Sequence, residues 1–167
     1  MERSISVHVD IASQRLRWSD GHGHAQSFLV STAASGIGQQ MGSEQTPLGR
    51  HVVRARIGDG APLRAVFVGR RETGEIWSPQ LDVQFPARDW ILTRILWLSG
   101  TEPGLNRLGR VDSMRRYIYI HGTPDDQPMG RPASHGCVRM RNDDVLWLFD
   151  HVPVGTPVTI AASAATG

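Results

Sequence analysis

The sequence predicts a mainly β fold with a few short α-helices, and two observations carry that expectation. First, apolar and polar residues alternate near the N-terminus. Ile5, Val7 and Val9 share one face of residues 4–10, and Leu16 and Trp18 share one face of residues 15–19. A period of two is the signature of a half-buried strand. Second, the 167 residues include 18 glycines and 10 prolines, which supplies turns too often for a helical bundle.

The elements follow in order. Asp20-Gly21 and His22-Gly23 make a turn, and residues 25–31 resume as a strand, so the chain opens as a β-meander. Residues 35–49, rich in Gly, Ser and Gln, read as a loop ending in Thr46-Pro47-Leu48-Gly49. Strands are expected at 51–57 and 64–68. Residues 69–88 hold two prolines and no clean period, which predicts irregular structure. Residues 90–98 are apolar throughout, and periodicity does not choose between strand and helix. Residues 101–109 are a loop. Residues 117–120 form a short strand running into His121-Gly122, and 123–132 is a loop with three prolines. The clearest helix starts at Asn142, which suits an N-cap, with Asp143 and Asp144 at the positive end of the dipole. Val145, Leu148, Phe149 and Val152 are its apolar stripe. After the turn Gly155-Thr156-Pro157 comes a last strand at 158–160, and residues 161–167 read as a frayed tail. With no repeat or linker, residues 1–160 are expected to form a single domain.

Composition excludes several functions. All 18 basic side chains are arginine, so neither a Schiff-base lysine nor a P-loop lysine is available. The net charge is +2 and the arginines are dispersed, so no nucleic-acid partner is expected. No run approaches the ~18 apolar residues of a membrane span. Residues 1–18 lack the apolar stretch of a secretory leader. The expectation is therefore a cytoplasmic protein, or a periplasmic one if a leader was removed. Cys137 is the one cysteine, so no intrachain disulfide forms. The oligomeric state cannot be read from the sequence.

That cysteine is the centre of the chemistry. A lone cysteine is ordinarily a small buried hydrophobe. Here Ser134, His135 and Gly136 precede it and Arg139 follows. A glycine beside a nucleophile lets backbone N–H groups approach a substrate, the basis of an oxyanion hole. Nearby His and Arg are expected to lower the thiol pKa below its free value of about 8.5. His121 ends an apolar strand just before Gly122, where a rigid scaffold presents a general base. Read blandly, His121 is a packed imidazole and His135 a turn residue. His121, His135 and Cys137 are also a possible N, N, S metal set. Neither the C-x₂₋₄-C nor the H-x₃₋₅-H spacing of zinc sites is present among them, so no metal and no cofactor are expected.

The run Ser134-His135-Gly136-Cys137-Val138-Arg139-Met140, with His121-Gly122 upstream, resembles the signature of L,D-transpeptidase (YkuD-type) catalytic domains. Thr46-Pro47-Leu48-Gly49-Arg50-His51 and Val154-Gly155-Thr156-Pro157-Val158 are similar to two further stretches of that family. The resemblance implies a β-sandwich. It implies Cys137 as nucleophile, His121 as base, the Gly122 carbonyl orienting the imidazole, and N–H groups around His135, Gly136 and Cys137 receiving the oxyanion, with Ser134 and His135 shaping that loop. The implied substrates are peptidoglycan stem peptides or muropeptides of bacteria, attacked at the third residue with loss of the terminal D-Ala. Arg139 is a candidate for pairing a stem carboxylate, or else a surface ion pair. Residues 69–116 match no family stretch and read as an insertion, in which Arg94 and Trp97, or Asn106, are candidates to line a substrate cap.

Water as acyl acceptor makes an L,D-carboxypeptidase, trimming tetrapeptides to tripeptides for recycling. An amine makes a transpeptidase forming 3→3 crosslinks or exchanging D-amino acids. The expected cytoplasmic location favours hydrolysis. Another class of cysteine peptidase, or a non-catalytic peptidoglycan-binding module, are the alternatives. A papain-like enzyme places its His after the Cys, and here it comes before.

Overall fold

The computed structural model describes residues 5–163. The alternating N-terminal segments form β1 (Ser6–Asp10), β2 (Arg15–Ser19) and β3 (Ala25–Leu29), an antiparallel meander. The last strand, β10 (Pro157–Ala161), lies parallel to β1, so the two ends of the chain close against each other. β4 (Gly49–Ile57) pairs antiparallel with β10 and then with β7 (Ile91–Gly100). β5 (Ala65–Val68) joins the N-terminal end of β7 and forms a hairpin with β6 (Arg71–Ile76). On the opposite edge of β7 lies β8 (Tyr119–Gly122), followed by β9 (Val138–Met140) in parallel with β8. The ten strands make one mainly β, curled sheet.

The main core lies inside the curl. Val7, Val9, Leu16, Leu96, Leu98, Ile120, Val138 and Met140 from the strands meet Val145, Leu148 and Phe149 of α2 (Asn142–His151). A smaller cluster on the other face joins Ala65, Phe67, Ile95 and Tyr119, and reaches Cys137. Successive β7 side chains thus enter opposite clusters, and both faces of the strand are buried. This is why residues 90–98 carry no readable period.

Three expectations are corrected. Residues 69–88 are not irregular: they hold β6 and α1 (Pro79–Gln84). β6 is an edge strand with almost every side chain exposed, so it has no apolar face to betray it. α1 carries a start signal in Ser78-Pro79: Ser78 Oγ accepts from Leu81 N–H at 3.1 Å, and Pro79 sits at the first helical position. The segment 69–116 is not an insertion, because it supplies β7, the strand that links both halves of the sheet. Asn142 is not the N-cap of α2; Arg141 holds that place and makes no side-chain cap bond. The Asn142 amide turns inward instead. It donates to Thr123 O at 2.9 Å and Asp125 Oδ1 at 3.0 Å, and accepts from Thr93 Oγ1 at 2.6 Å. At the C-terminus Ala161 still pairs with Asp10, and residues 164–167 of the expected tail lie outside the described residues.

Thr93 sits in a bulge where the β7–β8 register shifts between Leu92 and Ile95, at φ 74°. Positive φ is rare for a β-branched residue. The bulge aims its hydroxyl at Asn142 and so ties the middle strand to the start of α2.

Leu96→Ala should lower the unfolding free energy by about 2–5 kcal/mol, because Leu96 is wholly buried in the main core. Urea unfolding followed by fluorescence checks this. A loss below about 1 kcal/mol would show that the site collapses around the missing atoms.

Candidate active site

The parallel register of β8 and β9 assembles the site: Ile120 lies opposite Val138, His121 opposite Arg139 and Gly122 opposite Met140. Side chains alternate across a strand. Ile120, Val138 and Met140 therefore enter the main core, while Tyr119, His121, Cys137 and Arg139 face away from it. These four line a cleft of about 520 Å³ with Ser134 and His135.

The loop before Cys137 is held from within and from below. Ser134 Oγ donates to Cys137 O at 2.6 Å and accepts from Gly136 N–H at 3.2 Å, closing the turn onto itself. Ser134 N–H donates to Thr32 O at 2.8 Å. Thr46 Oγ1 donates to Gly136 O at 2.9 Å and accepts from Ala33 N–H at 3.0 Å. The Thr46-Pro47 stretch thus supports the loop from beneath. Gly136 has φ 130°, where a side chain is strained. His51, later in the same stretch, is buried and bonded through Nε2 to Ser113 Oγ at 2.9 Å, so it holds the fold together outside the cleft.

The thiol and imidazole are set by backbone groups. Cys137 Sγ donates to Tyr117 O and accepts from Tyr119 N–H, each at 3.3 Å. Tyr117 adopts φ 56°, a left-handed conformation that accompanies this placement of its carbonyl. His121 Nδ1 lies 2.6 Å from Gly122 O. A carbonyl only accepts, so Nδ1 carries the proton and Nε2 is left as the basic nitrogen. Gly122 has no room for a side chain: a Cβ there would stand 2.5 Å from Asn142 Oδ1 and 2.6 Å from Leu92 O.

Burial dominates the electrostatics. It pushes the Cys137 thiol up to about 12, against the Tyr119 N–H, Arg139 and Arg116, which favour the thiolate. It pushes His121 down to about 4, against the Gly122 bond and Asp89. The expected lowering of the thiol pKa by neighbouring cations is therefore overturned, because desolvation of the thiolate outweighs them. At neutral pH the resting pair is a neutral thiol beside a neutral imidazole.

The remaining expected residues divide. His135 is exposed at the rim of the cleft. Arg139 lines the cleft but is engaged: Nη2 meets Asp89 Oδ1 at 3.0 Å and Nη1 donates to Ala133 O at 3.1 Å. Arg94, Trp97 and Asn106 do not line the cleft. Arg94 is buried against Ala61 O and Thr93 O, Trp97 donates to Met114 O, and Asn106 donates to Leu48 O and Arg50 O. Arg94 and Asn106 hold backbone in place, and Trp97 both holds the Met114 carbonyl and lies under the Arg70 guanidinium at 4.8 Å. The sequence reading missed Arg70, Asp89, Arg116, Tyr117 and Tyr119, which do line the cleft. The alternation of Tyr117, Tyr119 and His121 was a signal for the two tyrosines. Arg70, Asp89 and Arg116 come from separate turns and left no local signal. Among the described residues, no group of three His, Cys, Asp or Glu is placed to hold a metal ion.

Cys137, directly before β9, and His121, on the parallel neighbour β8 with its imidazole oriented by a main-chain carbonyl, face one cleft, the arrangement of a cysteine acyl-transfer fold. The family profile of the L,D-transpeptidase catalytic domain, YkuD, matches residues 4–160, and the chain belongs to that family. It is 37% identical over 100 residues to the Salmonella typhimurium protein named Probable L,D-transpeptidase ErfK/SrfK, covering 56% of this chain and 30% of that one. It is 34% identical over 107 residues to Probable L,D-transpeptidase YbiS of Escherichia coli, covering 62% and 34%. The chain thus spans about a third of the length of these relatives. Among solved structures, the L,D-transpeptidase of Xylanimonas cellulosilytica superposes with a TM-score of 0.57 at 21% identity, covering 96% of this chain and 62% of that one. L,D-transpeptidase 3 of Mycobacterium tuberculosis gives 0.57 at 15% identity, covering 94% and 60%. These two likenesses establish the fold.

Two outcomes are expected from this geometry. Iodoacetamide should alkylate Cys137 of the free protein more slowly than a model thiol at pH 7–8, with a rate still rising above pH 10. A plateau near pH 8–9 would show a thiol set like a free one. Ser134→Ala, which opens both ends of the loop, should cost about 1–3 kcal/mol in chemical denaturation. Unchanged stability would show that the lower contacts alone hold the turn.

Proposed function

We propose that this cleft breaks the bond between the third and fourth residues of peptidoglycan tetrapeptide stems through a thioacyl-enzyme on Cys137. The observation that carries the reading is the His121 Nδ1–Gly122 O bond of 2.6 Å, which leaves Nε2 as the basic nitrogen in the cleft that Cys137 also lines.

The steps follow from the residues. With the substrate carbonyl over sulfur, the thiol proton leaves Tyr117 O for His121 Nε2, and sulfur attacks the carbonyl carbon. The imidazolium is costly in this buried place, so it forms only as the thiolate is consumed. A base of this kind contributes typically 10²–10⁴ in rate. Gly136 N–H is engaged by Ser134 Oγ, so the N–H groups of His135 and Cys137 are the oxyanion donors, each worth about 3–4 kcal/mol. Collapse of the tetrahedral adduct breaks the C–N bond, and His121 returns the proton to the departing amine of the D-residue. His121 then deprotonates the acceptor that attacks the thioester.

Two acceptors fit. A second depression of about 220 Å³ shares Asp89, His135 and Arg139 with the main cleft, and it offers an approach for the amine of another stem. The names of the relatives agree with such transfer. Cys137 is also half-buried, open to water through the cleft, which supports hydrolysis of tetrapeptide to tripeptide.

The test is incubation with tetrapeptide and disaccharide-tetrapeptide, with and without excess D-Met, read by mass spectrometry beside Cys137→Ala. Exchange of D-Met or a crosslinked dimer identifies a transpeptidase; tripeptide alone identifies a carboxypeptidase. Both are expected to vanish in Cys137→Ala. Turnover of neither substrate by the wild type would sink the stem-peptide reading.

A further inference from the structure

Three arginines line the main cleft, and they differ in what meets their charge. Arg139 lies 3.0 Å from Asp89 Oδ1, so a carboxylate offsets it. Arg70 bonds Tyr119 at its hydroxyl, the far end of that residue from the N–H that touches the sulfur. Arg116 is half-buried and donates to four acceptors: Gly38 O at 3.3 Å, Gln39 O at 3.2 Å, Ser43 Oγ at 3.3 Å and Gln45 O at 2.6 Å. Three are main-chain carbonyls and one is a hydroxyl. None carries a charge, and Arg116 makes no ion pair among the described residues.

The guanidinium is tied to the surroundings of the sulfur at two points. Gln45 O, which accepts from Arg116 Nη2, lies 3.4 Å from where a Cβ on Gly136 would stand. Gly136 directly precedes Cys137. From the other side, Tyr117 follows Arg116 in the chain, and its carbonyl accepts from Cys137 Sγ at 3.3 Å. The 36–46 loop is closed firmly around this cation. Gly38 N–H donates to Thr46 O and Thr46 N–H to Gly36 O, each at 3.0 Å, and Met41 N–H donates to Arg110 O at 2.7 Å. Glu44 takes φ 57°, a left-handed conformation that costs a residue with a side chain free energy. Carbonyls converging on one guanidinium fix a charge before any substrate arrives, so no reorganisation is needed when charge develops.

The charged groups that face the thiol are Asp89, Arg139 and Arg116. Asp89 and Arg139 pair with each other and largely cancel, which leaves Arg116. His121, His135, Tyr117 and Tyr119 are the other titratable groups of the cleft wall. Glu44 lies exposed on the loop, where water and salt screen its carboxylate.

We infer that Arg116 supplies the uncancelled positive charge that favours negative charge at Cys137, on the sulfur before attack and on the carbonyl oxygen after it, and that the 36–46 loop seats this cation. Arg116 acts through space and is a positioning residue. The inference rests on Cys137 as the nucleophile of the reading above.

The test is alkylation of Cys137 by iodoacetamide at about pH 8, with melting temperature as the check on folding. Iodoacetamide is uncharged, so a nearby cation acts on the sulfur and does not steer the reagent. Below the pKa of the thiol the rate follows the thiolate fraction. Arg116→Gln and Arg116→Lys both lose the four-bond fork, and only Arg116→Lys keeps the charge. Arg116→Gln should be alkylated about 3- to 10-fold more slowly than Arg116→Lys, the effect of up to about one pKa unit. A loop that merely loosened would expose the sulfur and speed both variants alike. A second pair leaves Arg116 in place and serves if the first fails to fold. Ser43→Asp sets a carboxylate beside Nη2, where the Ser43 hydroxyl now sits, and should slow alkylation by a similar factor relative to Ser43→Asn. On tetrapeptide, Arg116→Gln should show a lower kcat than Arg116→Lys at similar KM. Equal alkylation within a folded pair, or equal kcat, overturns the inference. If the wild type turns over no stem peptide, the stem-peptide reading falls, and the alkylation rates still decide this one.

Discussion

The parallel pairing of β9 with β8 is the contact on which the site depends. Three residues of β9 lie beside β8, and their register decides which side chains of these two strands share the cleft. A slip by one residue would send Cys137 toward the core and Val138 into the cleft. The register is pinned from both sides. Ile120, Val138 and Met140 are wholly buried in the main core, and Gly122 is packed so closely against Leu92 and Asn142 that no side chain fits. The same backbone that seats Gly122 also presents its carbonyl to His121. Packing and the orientation of the imidazole are therefore one constraint.

Around that pairing, the loops are tied by polar groups whose partners are mostly main-chain atoms. Thr46 supports the Gly136 carbonyl, Ser134 closes the turn, and Arg116 gathers residues 38–45 against the cleft wall. Backbone partners suit this purpose because their positions follow from the fold and not from a neighbouring rotamer. The imidazole is oriented in the same way. A carbonyl fixes the tautomer, as a triad acid does elsewhere, without adding a negative charge that would stabilise the imidazolium. Combined with burial, this favours a neutral His121 imidazole and a protonated Cys137 thiol.

Much of this was legible in the sequence where period and chemistry were local. The meander strands, the apolar stripe of α2, and the pairing of His121 with Cys137 as one site follow from alternation, spacing and motif. The reading failed where tertiary burial erased the signal. β7 is buried on both faces and so shows no period, and β6 is exposed along its length and so shows no face. Asn142 looked like a helix cap because its type favours one, but its amide is taken by Thr93, Thr123 and Asp125, which lie far away in the chain. Arg94, Trp97 and Asn106 stood out as polar or aromatic residues in an unassigned segment; they bond to main-chain carbonyls and lie outside the lining of the cleft. The thiol pKa follows the same pattern: the sequence shows the nearby charges, and only the fold shows the desolvation that outweighs them.

The protonated resting thiol also bears on survival. Peroxide and related oxidants attack the thiolate, so the rate of damage follows the ionised fraction. With its pKa pushed well above that of a free thiol by burial, Cys137 is ionised far more rarely at pH 7 than a free thiol. The chain has no second cysteine to capture a sulfenic acid as a disulfide and return it to the thiol. A cysteine without a second cysteine beside it is thus shielded by the desolvation that keeps it protonated, and how long it lasts against an oxidant is set by how seldom it is charged.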